Sequence, residues 1–281
     1  MEKAFSFGPT NSLAGVLNEP ANGTTDSSKP IVVILNAGLI HHAGPHRMSV
    51  EMARETASQG YTCFRFDLSS IGDSPTSKSR LSYQERAIHD IREALNFLSS
   101  LKNINKFVLI GLCTGADNAH RAAVVDDRIV GCIFLGGYAY PTRKFHLVKL
   151  QTKLGKLVKK MLSLDKWKRL VSRAFSLIKA KKKTVDNEVN TAYYWKMPGK
   201  EKTRNEYLDF VKRNVQMFFI FTASELTMFN YQNQIKDSFK SVDFKDLLTV
   251  TQFDQTDHTY SFAAHRKTLI STITDWLHEK Y

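Results

Sequence analysis

The 281-residue chain is 42% hydrophobic and 24% charged, with three cysteines, which excludes wholesale disorder, a disulfide framework and a zinc site of C-x-x-C or H-x-x-H spacing. Its length fits one large domain, or one with a sizeable insertion, that folds without cross-links. The net charge of +13 is concentrated: residues 141–183 hold 15 Lys and Arg against one acid, Asp165, and the remainder is nearly neutral.

In chain order, residues 3–7 and 13–18 read as short strands around a Gly8-Pro9-Thr10-Asn11 turn, followed by a polar loop at 21–29. The β-branched run 31–35 has the pattern of a strand covered on both faces. A helix is expected over 46–58, stopped by Gly60, then a strand over 61–66 and a polar loop over 67–75. Ser82-Tyr-Gln-Glu85 is a capping box opening a helix whose inner face carries Ala87, Ile91, Leu95 and Leu98. Strands follow at 106–112, 129–135, 215–221 and 247–253, and an amphipathic helix at 262–278. Buried strands alternating with helices imply an α/β fold with a mostly parallel sheet. No apolar run nears the roughly 20 residues of a membrane span, and the first residues lack the apolar core of a signal peptide, so a reducing cytoplasm is the expected compartment.

The chemistry is concentrated in Lys106-Phe-Val-Leu-Ile-Gly-Leu-Cys113-Thr-Gly-Ala116. A buried strand runs into Gly-x-Cys-x-Gly and then helical sequence, the strand–turn–helix setting of a nucleophile elbow with Cys where Ser is usual. Side chains at 111 or 115 would collide with neighbouring backbone, and the Thr114 amide and helix N-terminus can face a developing oxyanion. The same helix end favours the Cys113 thiolate. Cys63 and Cys132 read as mid-strand core residues.

These residues, with Asn36-Ala-Gly38, His46-Arg47, Phe64-Arg-Phe-Asp67, Gly72-Asp-Ser74 and His258, resemble the α/β-hydrolases, specifically the serine-aminopeptidase-like group that includes the exosortase-associated hydrolases. The likeness is strong over 14–140 and moderate over 215–277. It implies an α/β-hydrolase fold with residues 1–140 and 215–281 as core and 141–214 as a helical cap insertion. Gly-Leu-Cys occurs at the elbow of the exosortase-linked members, so Cys113 is compatible with activity. Two features depart from the commoner pattern: Asn36-Ala37 replaces a His-Gly pair, and Gly-x-x-Asp is missing at the acid position.

Chain order in this fold is nucleophile, acid, histidine. Of the later histidines only His258 lies in a loop just beyond a strand. Glu225, after the strand at 215–221, stands where the family's Asp would be and can hold the imidazolium; Asp254 and Asp257 are rivals by proximity. The second oxyanion amide is assigned to Leu39, beside Thr114, with Gly38 allowing close approach. Asn36, Gly38, His41 and His42 are expected to bind substrate, the histidines lining the pocket or orienting the oxyanion loop, while Asp73 is structural.

The insert shows amphipathic spacing at Leu147, Leu150, Leu154, Leu157 and Met161, and again at Trp167, Leu170, Ala174 and Ile178. It reads either as a cap whose apolar face roofs the pocket and whose lysines are solvated, or as a docking face for an acidic acyl carrier protein or an anionic membrane. Nucleic acid is disfavoured, since no recognition motif is present. The expected activity is acyl transfer through acyl-Cys113 to water, a thioesterase or ester hydrolase without cofactor or metal. An acyltransferase, or a binding protein on a hydrolase scaffold, are the alternatives.

Overall fold

The computed structural model describes residues 1–20, 26–161 and 197–281, with side chains of 156–161 excepted. Eight strands form one sheet: β1 (Glu2–Phe7), β2 (Leu13–Asn18), β3 (Ile31–Ile34), β4 (Cys63–Phe66), β5 (Phe107–Leu112), β6 (Ile129–Leu135), β7 (Gln216–Thr222) and β8 (Leu248–Phe253). Their spatial order is β1-β2-β4-β3-β5-β6-β7-β8. The β1–β2 and β2–β4 pairs are antiparallel, and every pair from β4 onward is parallel. The described helices are α1 (Met48–Ser58), α2 (Tyr83–Lys102), α3 (Thr114–Val125), α4 (Arg143–Met161), α5 (Lys200–Lys212), α6 (Gln234–Ser238) and α7 (Ala263–Lys280). Among the described residues no helix is long and apolar enough to cross a membrane.

The continuous apolar runs are explained by burial on both sheet faces. Alternate residues serve opposite faces: Val33, Leu109 and Phe219 join a core with α2, α3 and α5, while Val32, Val108, Ile110, Phe218 and Ile220 join one with α1 and α7. The capping box at Ser82 is formed, Glu85 N–H donating to Ser82 Oγ and Ser82 N–H to Glu85 Oε2.

The two ends of the basic insert behave differently. Residues 200–212 lie within the span read as cap, yet Tyr207 and Phe210 of α5 are fully buried against Phe219, Phe239 and Phe244. That span therefore ends in a helix of the core. Residues 143–155 of α4 show the reverse. Phe145 is buried, and Asn230 Nδ2 donates to its carbonyl at 3.1 Å, but Leu147, Leu150 and Leu154 are 60%, 54% and 54% exposed. Among the described residues the apolar stripe is therefore left largely uncovered. Trp167, Leu170, Ala174, Ile178 and the lysines from 166 to 183 lie outside the described residues.

Helix α5 is keyed to α3 by a buried pair, His120 Nε2 to Glu206 Oε2 at 2.8 Å, inside a ring cluster of Phe134, Tyr138, Tyr207 and Phe210. Removing one partner of a buried pair strands the other without water. We expect Glu206→Ala to lower unfolding free energy by about 2–3 kcal/mol, read by urea denaturation. A Glu206→Ala, His120→Phe double variant should recover part of that loss.

Candidate active site

Strand β5 reaches α3 through one residue. Cys113 has φ 57° and ψ −116°, a left-handed conformation that a non-glycine residue holds only when its surroundings impose it. The surroundings are tight. A Cβ on Gly111 would lie 2.1 Å from the Gly115 carbonyl group, and one on Gly115 2.7 Å from the Asn36 carbonyl oxygen. Cys113 N–H donates to the Leu135 carbonyl at 3.0 Å, so its backbone is also tied to β6. Its side chain is exposed, while Cys63 and Cys132 are buried in strands with their thiols pushed up to about 12 and higher still by desolvation.

His258 lies in the loop after β8. Its Nδ1 is 2.5 Å from Glu225 Oε1, and its ring hydrogen-bonds the Cys113 thiol. Glu225 sits on a single turn after β7, where Thr222 donates from N–H (2.6 Å) and from Oγ1 (2.5 Å) to Oε2. Both carboxylate oxygens are thus engaged. The rivals are occupied elsewhere: Asp254 accepts from Gln252 Nε2, and Asp257 accepts from Thr259 and Ser261 within its own turn. The loop is pinned by Ser224 Oγ, which accepts His258 N–H at 3.0 Å. Arg266 also holds it, donating to the Tyr260 and Ser261 carbonyls while paired with Glu51. Gly136, at φ 80°, lies beneath, a Cβ there falling 3.4 Å from Glu225 Oε1 and 3.6 Å from the His258 ring.

The electrostatics favour thiolate beside imidazolium. The hydrogen bond from His258 lowers the Cys113 pKa, against burial, with help from the imidazolium charge and the Thr114 amide. The bonds to Cys113 and Glu225 push His258 up to about 10, against desolvation. Burial raises Glu225, but its bonds to His258 and Thr222 outweigh that and leave it lowered.

The loop after β3 is organised by Asp67, a residue to which sequence reasoning gave no role. It is fully buried at the end of β4. Oδ1 accepts from Asn36 Nδ2 (2.7 Å) and His42 N–H (2.6 Å), and Oδ2 from His42 Nδ1 (2.7 Å) and Asp73 N–H (3.0 Å). These four donors overcome burial and keep its pKa lowered. Asn36 also donates to the Ile40 carbonyl and accepts from Leu68 N–H. Asn36 and His42 act as loop supports, since the Asn36 amide and His42 Nδ1 engage Asp67 and neighbouring backbone. His41 pairs with Asp73 at 3.0 Å, and its ring lies 3.8 Å from that of His42, tilted by 39°. Gly38 is needed for its backbone, at φ 59°, and not for close approach, since nothing lies within 4 Å of a Cβ there. Its N–H donates to Thr114 Oγ1 at 2.6 Å, whereas among the described residues the Leu39 N–H donates to no protein atom. Asp67 went unassigned because three of its four donors come from a loop 25–31 residues upstream.

A family model described as alpha/beta hydrolase fold matches residues 30–270. Solved structures with the same fold include a dienelactone hydrolase from Anabaena variabilis (12% identity, TM-score 0.58, covering 99% of this chain and 97% of that one). Another is XC6422 from Xanthomonas campestris, described as an α/β serine hydrolase without lid (15%, TM-score 0.53, 99% and 92%). A third is an α/β serine hydrolase homologue from Coxiella burnetii (12%, TM-score 0.57, 99% and 97%). Sequence comparison with curated proteins finds no match.

Iodoacetamide should label Cys113 alone in the folded protein, with an alkylation midpoint at lower pH than that of an ordinary cysteine, since the His258 side chain and the Thr114 amide favour the thiolate. In Glu225→Gln the imidazolium loses its counter-charge, so the alkylation midpoint should move upward in pH; Asp254→Asn should leave it in place. Equal labelling of all three cysteines would contradict the geometry.

Proposed function

The chain belongs to the α/β-hydrolase fold family and is an enzyme of the hydrolase class, and on that premise we propose that it transfers acyl groups through an acyl-Cys113 intermediate to water, as a thioesterase or carboxylic ester hydrolase. The observation that carries this reading is the continuous hydrogen-bonded series from Cys113 through His258 to Glu225 beneath a strained elbow. In it, the Cys113 thiolate attacks the substrate carbonyl carbon, and the carbonyl π electrons move onto oxygen. The resulting oxyanion is held by the N–H groups of Thr114 and Leu39. His258, protonated at both nitrogens and held by Glu225, gives a proton to the departing alcohol or thiol. Neutral His258 then takes a proton from water, whose oxygen attacks the thioester, and collapse expels the Cys113 thiolate, releases the acid and restores the thiolate–imidazolium pair.

Structures named as serine hydrolases share this fold, which supports the reading; the departure proposed here is sulfur for oxygen. A thiol ionises several units below a hydroxyl and depends less on its third member. An apolar acyl group is favoured by exposed side chains beside each segment of the site: Leu39 and Ile40 after Gly38, Leu226 next to Glu225, and Phe262 in the His258 loop. Transfer to an amine or alcohol is the second reading, supported by the thioester character of the intermediate, which amines attack more readily than water does.

Intact-protein mass spectrometry during incubation with a panel of acyl thioesters and esters tests this. A transient adduct on Cys113 with released acid is expected, and a lasting adduct discharged only by an added amine would favour transfer. No adduct with any donor would overturn acyl catalysis. His258→Ala should cost about 100–10,000-fold in kcat/KM and Glu225→Ala about 10–1000-fold, with Asp254→Ala near wild type. Asp67→Asn, which weakens the support of the oxyanion loop, should lower kcat by roughly tenfold with KM little changed.

A further inference from the structure

Helix α4 carries its apolar face on the wrong side for a buried helix. At 100° per residue, Leu147, Leu150 and Leu154 fall within about 60° of one another, and Phe145 lies on the opposite side. Phe145 is the buried one, 3% exposed, whereas the three leucines are 54–60% exposed. The helix therefore attaches to the body by its narrow back and presents its leucine stripe to solvent.

The flanks of that stripe are cationic. Lys144 borders one side, and His146 and Lys153 border the other, while Lys149 lies towards the back of the helix beside Phe145, with no acidic residue anywhere in Arg143–Met161. None of Lys144, Lys149 and Lys153 forms an ion pair with a described residue, although Lys144 and Lys149 stand over the Tyr231 and Phe145 rings. Among the described residues no carboxylate of the body neutralises this charge. The next stretch of chain, to residue 183, adds more positive charge, so the excess is not neutralised in sequence either.

We propose that α4 docks on an anionic lipid bilayer surface, lying in the interface with Leu147, Leu150 and Leu154 among the acyl chains. Two demands select this occupant together. The leucine stripe requires hydrocarbon, and the cations flanking it require negative charge in a plane around that hydrocarbon. An anionic headgroup layer over acyl chains supplies both at once, and lysine stems reach from the apolar level up to the phosphates. An acidic protein surface supplies the charge but would need a matching apolar groove as well. The docking is independent of the reaction at Cys113.

The test is sedimentation of the full chain with vesicles of phosphatidylcholine alone or with an equal part of phosphatidylglycerol. Binding is expected to the mixed vesicles and to be much weaker on the neutral ones. Lys144→Gln with Lys153→Gln should weaken it by roughly 25-fold, about fivefold per cation. Leu150→Ser with Leu154→Ser should weaken it by about tenfold or more per leucine; because both side chains are exposed, these variants keep the fold, checked by circular dichroism. Cys113→Ser should bind like wild type, which separates this surface from the acyl chemistry. Three results would overturn the proposal: no binding to mixed vesicles, equal binding to both vesicle types, or leucine variants that bind like wild type. Retention on an immobilised acidic acyl carrier protein with no affinity for vesicles would also overturn it and assign the face to a protein partner.

Discussion

The site depends on the single-residue passage from β5 to α3. Turning a strand into a helix at Cys113 forces that residue to φ 57°, and the turn is possible only because Gly111 and Gly115 leave room for backbone to meet backbone. The strain is sustained by two well-packed faces, one core under α2, α3 and α5 and another under α1 and α7. What the strain achieves is placement. The thiol stands clear of the sheet at the N-terminus of a 12-residue helix, where backbone amides and the helix dipole favour negative charge.

Around that point two carboxylates do different work because their partners differ. Glu225 accepts from an imidazole that can carry charge, so its negative charge acts on His258 and, through it, on Cys113. Asp67 accepts from an amide side chain, two backbone N–H groups and a buried imidazole, and its effect is mechanical: it fixes the loop that carries the Leu39 amide. A buried carboxylate with four donors is satisfied, and the loop it holds has few other conformations available. The Gly38 amide is spent on Thr114 Oγ1, which ties this loop to the first turn of α3.

The charge asymmetry of the chain also acquires a physical form. The near-neutral body closes on itself, with α5 drawn into the core by Tyr207, Phe210 and the His120–Glu206 pair. Helix α4 does not close: beyond Phe145 its described side chains are mostly exposed. A basic composition alone fits solvated lysines as well as a docking face. The exposed leucines beside the lysines are what support the docking proposal over simple solvation.

The sequence by itself determined the strands, their alternation with helices and the elbow, because these are local. Runs such as Ile31–Ile34 and Phe107–Leu112 announce burial by their apolar continuity, Ser82 and Glu85 announce a helix start, and Gly111 and Gly115 announce a tight turn. Observed bounds differ from the expected ones by one or two residues, since strand ends are set by pairing partners and not by their own side chains. Choosing among Glu225, Asp254 and Asp257 as the partner of His258 was beyond the sequence, because all three are carboxylates within reach in chain terms. Tertiary structure decided it by aiming the β7 turn at the imidazole and spending the other two on their own loops. It likewise decided the roles of Asn36 and His42, which depend on a buried Asp67 from a different strand. It also decided the direction of the α4 leucine face, which periodicity defines but only packing can point.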